Sequence, residues 1–179
     1  MSRRKFTPSG RASKALDLTA LNALALAYLA KYATTRHKLR TYLVRKLSER
    51  GWEGEEEAPL DAIVEHCAEL GYVDDALFAE ARGAALMRRG YGAQRVAAAL
   101  RGAGIDSETA ASVREAARES ALEAALTFAR RKHIGPFGSE TSNMDQCRRN
   151  FAAMLRAGHP SDIARLVAFA EPGASLDQT

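Results

Sequence analysis

Apolar residues recur along this chain at helical intervals, separated by short polar or glycine-bearing breaks. Between residues 17 and 33, Leu21, Leu24, Ala25, Tyr28 and Leu29 fall at i, i+3, i+4, i+7 and i+8, the apolar face of one helix. Thr34-Thr35 interrupts the pattern and supplies a cap for a second helix reaching about Arg50, with Leu39, Leu43 and Leu47 as its stripe and Tyr42 beside them. Pro59 suits a helical first turn, and Leu60, Ile63, Val64, Cys67 and Leu70 make a third stripe. After a junction at residues 71–75 the pattern resumes with Leu77, Phe78, Ala81, Ala85 and Leu86, then with Val96, Ala97 and Leu100. Asp106-Ser107-Glu108 offers caps for a helix through about Ala117. Leu122, Ala125, Leu126 and Ala129 follow, then Phe151, Met154 and Leu155 behind a capping-box-like Ser142–Asp145. Ile163, Leu166, Val167 and Phe169 close the series. No run alternates apolar and polar residues with β-branched enrichment, so essentially no sheet is expected.

The helices group by an internal repeat. A phrase with an apolar residue four positions before a glycine occurs three times, at Leu47–Gly51, Leu100–Gly104 and Met154–Gly158. The glycines are 53 and 54 residues apart. Each suits the left-handed position just past a helix end. The period predicts an all-α fold, an elongated array of three tandem three-helix units at residues 17–72, 73–118 and 119–171. A disordered basic arm is expected at 1–16 and a loose tail at 172–179.

With 179 residues, 46% of them hydrophobic and 27% charged, the chain can build cores, but a lone unit would bury little surface. Aromatic residues are only 7%, which suits closely packed, alanine-rich helices. The net charge of +4 hides a segregation: residues 1–50 carry +10, 53–80 carry −10 and 81–179 carry +4. The two opposed blocks either neutralise each other within the fold or face partners of opposite charge. Two cysteines, Cys67 and Cys147, with no CxxC pair, argue against a disulfide framework and for a reducing compartment. No apolar run is long enough for a transmembrane helix, and the N-terminal stretch lacks the apolar core of a secretory signal.

Gly71-Tyr72-Val73-Asp74-Asp75-Ala76-Leu77-Phe78-Ala79 resembles the signature of the RecX family, regulatory proteins of bacterial recombination. Arg89-Gly90-Tyr91-Gly92, Arg95-Val96, Leu100 and Gly104-Ile105 resemble that family's basic-glycine turn and the helix after it. Thr35–Leu39, Lys46-Leu47 and Gly51-Trp52 extend the likeness, which spans about residues 18–170. The sequence departs from the family pattern at Lys38, Trp52, Ala99 and Ala103, and the two alanines remove charges that could touch a partner. The resemblance implies a cytoplasmic, non-enzymatic monomer that acts in DNA repair and the SOS response. It would bind the RecA filament on single-stranded DNA and restrain its ATPase, strand-exchange and co-protease activities, with direct DNA contact as an added candidate. A stand-alone helical DNA-binding protein is the alternative.

The candidate partner-binding residues are basic: Arg36, Lys38, Arg40, Arg45, Lys46 and Arg50 on the second helix, with Arg88, Arg89 and Arg95 around the Gly90–Gly92 turn. Cations so arranged suit phosphates or acidic protein groups. Gly71, Tyr72, Asp74, Asp75 and Phe78 are read as a structural junction, the aspartates capping a helix and the two rings packing the first unit onto the second. No catalytic, cofactor or metal site is expected. His66-Cys67 would point in different directions, His37, His133 and His159 are scattered, the Gly90–Gly92 turn is too short to cradle a phosphate, and no GxxxxGK[ST] occurs.

Overall fold

The computed structural model describes residues 14–176, and within them nine α-helices and one short 3-10 turn account for the regular structure. The only β pairing among these residues is an isolated bridge between Leu16 and Trp52. The chain divides after Val73 into two compact units. Residues 1–13 of the expected basic arm lie outside the described residues, as do residues 177–179 of the tail.

The first unit holds α1 (Leu18–Leu29), α2 (Arg36–Arg50) and α3 (Leu60–Glu69). Asp17 and Thr35 cap α1 and α2 by accepting from the amides of Ala20, at 2.7 Å, and Lys38, at 3.2 Å. Leu21, Ala25, Leu39, Leu43, Ile63, Val64 and Cys67 meet in one core. Each fully buried leucine there contributes about 1.5–3 kcal/mol. Leu16, placed in the arm by sequence, is fully buried in the same core.

The second unit holds α4 (Asp75–Arg88), α5 (Ala93–Arg101), α6 (Ala111–Glu119), α7 (Ala121–Lys132), the 3-10 turn Gly135–Phe137, α8 (Met144–Arg156) and α9 (Ser161–Ala168). One core gathers Leu86, Val96, Leu100, Ile105 and Val113 from α4–α6, and another gathers Phe128, Met154, Ala164 and Val167 from α7–α9. The three repeated glycines all have positive φ, at +80°, +77° and +91°. After the second and third of them the chain closes in the same way: the amides of Ile105 and His159 reach back to the carbonyls of Leu100 and Met154, at 3.1 and 3.2 Å.

Four expectations are corrected. Tyr72 is not core; it is 56% exposed, and its neighbour Val73 enters the first core instead. Phe78 is half-buried and packs on the core of α4–α6. The buried face of α4 is Ala79, Gly83 and Leu86, while Leu77 is 63% exposed. The cause is close packing: a Cβ on Gly83 would run into the side chain of Val113, so the helix turns to α6 the face on which Gly83 leaves room. Finally, Asn143, not Ser142, caps α8, accepting from the Gln146 amide at 2.9 Å.

Candidate functional site

The basic residues of α2 fall into distinct settings. Arg36 and Arg40 face α3, where Arg36 meets Glu65 at 3.3 Å and Arg40 meets Asp61 at 2.6 Å. The hydrogen bond with Arg40 holds the Asp61 carboxyl below its usual range and raises the guanidinium in turn. The acidic block therefore neutralises part of the basic block inside this unit, through exposed pairs that add little stability. Arg45 and Lys46 share Glu49, at 3.8 and 2.5 Å, and Lys46 lowers that carboxyl through its hydrogen bond. Arg50 is spent on structure, since its guanidinium donates twice to the Lys14 carbonyl, at 3.0 and 2.9 Å. Lys38 lies half-buried on the same helix.

Between the C-terminal half of α1 and the middle of α2 opens a groove of about 440 Å³. It is lined by Ala27, Tyr28, Lys31, Tyr32, Tyr42, Arg45 and Lys46. The Tyr28 and Tyr42 rings stack, with centroids 4.3 Å apart and planes 16° from parallel. Arg45 and Lys46 lie over the Tyr42 ring at 5.7 and 5.9 Å. Arg45 and Lys46 are among the candidates chosen from sequence; Tyr28 and Tyr42 register there only in or beside the apolar stripes of two separate helices, and Tyr32 carries no signal.

In the second unit, Arg89 and Arg95 are brought together over the Tyr91 ring, at 5.4 and 5.9 Å, while Arg88 lines a different groove with Met87, Ser120 and Glu123. The turn that carries Tyr91 is a joint. The Gly92 amide donates to the Ala157 carbonyl at 3.0 Å, and Arg131 donates to the Arg89 carbonyl at 2.5 Å. A Cβ on Gly92 would collide with the Gly158 carbonyl, and one on Gly158 with the Arg95 backbone. Two backbones thus meet where only glycine leaves room. His159, next in sequence, is fully buried with its ring 5.6 Å from that of Phe128. A second cationic groove, lined by Arg101, Arg114 and Arg118 over alanines of α5, contains no aromatic ring.

The signature aspartates have structural work. Asp74 caps α4, accepting from the Leu77 amide at 2.8 Å, and Asp75 stands in its first turn, where a carboxylate favours the positive end of the helix. Among the described residues no group of three or more His, Cys, Asp or Glu side chains could hold a metal ion, and no helix is long and apolar enough to cross a membrane. Burial pushes the Cys67 thiol above its ordinary value, away from nucleophilic use.

These features define an all-helical protein of two compact units whose described residues line cationic grooves. Comparison with known proteins gives the class its family. Residues 74–113 match the family model described as RecX, second three-helix domain. The chain is 32% identical to the regulatory protein RecX of Myxococcus xanthus over 86% of its own length and 87% of that protein's. It is 34% identical to the regulatory protein RecX of Stenotrophomonas maltophilia over 92% and 94% of the two lengths. The crystal structure of RecX from Lactobacillus salivarius shares the fold, with a TM-score of 0.60 at 20% identity over 83% of this chain and 92% of that one. The chain belongs to the RecX family of regulatory proteins.

Proposed function

We propose that this protein is a cytoplasmic regulator that binds the RecA filament on single-stranded DNA and restrains its ATPase, strand-exchange and co-protease activities. The observation that carries this reading is kinship along nearly the whole chain with two proteins named regulatory protein RecX. Domain-by-domain helical packing and exposed cations on α2 and around Tyr91 support it: many modest contacts, repeated along a filament, add to a firm hold. Inhibition then needs no chemistry, only tighter binding to one filament state than to another. A role in DNA repair and the SOS response follows from that partner. The protein acts as a monomer, and the basic residues of α2 with Arg88, Arg89 and Arg95 supply contacts.

The test is RecA ATP hydrolysis on single-stranded DNA with this protein titrated in. Hydrolysis should fall at ratios well below one protein per RecA subunit. Unchanged hydrolysis at equal concentrations would reject the reading. A variant with Arg36, Arg40 and Arg45 all changed to glutamine should stay folded and inhibit less.

A further inference from the structure

We propose that the groove between α1 and α2 is a binding site for single-stranded nucleic acid, with the tyrosines as a base-stacking platform and Lys31, Arg45 and Lys46 as phosphate contacts. Three observations carry it. The wall is aromatic: Tyr28 stacks on Tyr42, and Tyr32 leans on Tyr28 with centroids 5.1 Å apart and planes tilted by 47°. Tyr32 remains 57% exposed, so one ring of the cluster still offers a face to a ligand. The lining residues include three cations and no carboxylate.

That combination is selective. A flat π-surface accepts any base, and stacking is indifferent to sequence. Lys31, just past the end of α1, and the neighbouring Arg45 and Lys46 of α2 line the same groove as the rings, where a phosphate backbone can run past them. Duplex DNA hides its base faces inside the stack and could use only the cations. An acidic peptide could likewise use the cations but would leave the rings idle. The groove between α5 and α6, with three arginines and no ring, makes the contrast within one molecule: it offers charge and no platform. Arg45 and Lys46 share a single carboxylate, Glu49, and Lys31 adds a third cation, so the groove keeps an excess of positive charge for a phosphate.

This inference goes beyond the proposed function because it requires no recombinase. The experiment is fluorescence anisotropy of the full chain with a labelled oligodeoxythymidylate of about 15 nucleotides, within the reach of one binding module. An oligonucleotide of the same length with abasic residues and a polyglutamate peptide serve as competitors. We expect Tyr32→Ala to weaken oligonucleotide binding about tenfold or more, as loss of one stacked base does, and Tyr32→Phe to retain it. Lys31→Ala should reduce the salt slope by about 0.7. The abasic strand should compete poorly. Two results would overturn the proposal: undiminished binding by folded Tyr32→Ala, or competition by the abasic strand or polyglutamate as strong as that of the intact strand. Should Tyr32→Ala fail to fold, the abasic strand and Lys31→Ala decide the matter on proteins with intact rings. Because RecA is absent, failure here leaves the regulatory reading standing, and failure of RecA inhibition leaves the groove standing.

Discussion

His159 occupies the place that Trp52 and Ile105 hold in the other two repeats, the residue directly after the closing glycine. In that place it is fully buried, and neither ring nitrogen has a hydrogen-bond partner of good geometry. Burial pushes its pKa below the ordinary value, and the Gly90 backbone only partly opposes this. The unfolded chain therefore binds a proton at this site more readily than the folded one. Stability is fully present above about pH 6.5 and drains away as the pH falls from there toward the lower folded value. Thermal melting from pH 8 to pH 5 should show this, with the gap between wild type and His159→Leu closing or reversing in favour of the leucine variant at the acid end. A constant gap would show that the imidazole does not titrate in this range. Aligning the three closing phrases would have marked His159 as core, but a histidine seen alone carries no such signal.

At the scale of elements, Gly92 and Gly158 let the start of α5 and the end of α8 approach to backbone contact. Gly92→Ala should destabilise the protein by about 1–3 kcal/mol, the range for overpacking, read from the urea midpoint. Phe78→Ala removes a half-buried ring from the core of α4–α6. Its cost should be roughly 2 kcal/mol, below the 3–5 kcal/mol of a fully buried phenylalanine. The helices were most legible where the signals agree, as at α2 with its stripe, the Thr35 cap and the closing Gly51, and at the start of α4 with the Asp74 cap. The faces were less so. Tyr72, before α4, and Leu77, on it, are large yet exposed; on α4 Gly83 is small and buried because it faces Val113 closely. The tyrosine groove was hidden for a related reason: its rings come from two helices, and no periodicity along one helix registers a pair formed across two.

At the scale of the whole molecule, each unit has its own cores, and the second joins two three-helix groups through backbone hydrogen bonds at Gly92 and Gln94. A fragment spanning 74–176 should fold alone, with a helical circular-dichroism spectrum and one cooperative melt, and Gly92→Ala should lower that melt as well. The charge segregation read from sequence has a local outcome in the first unit, where Asp61 and Glu65 of α3 pair with Arg40 and Arg36 of α2.

That pairing makes α3 a resident rival to any incoming polyanion. Glu65 and Asp61 already hold Arg36 and Arg40, so a ligand reaching these arginines must evict tethered carboxylates, which cannot diffuse away as small ions do. The logarithmic dependence of affinity on salt should be shallower than a tally of the helix's cations suggests. Removing the rival, by Asp61→Asn with Glu65→Gln, should both strengthen attachment and make it more sensitive to salt.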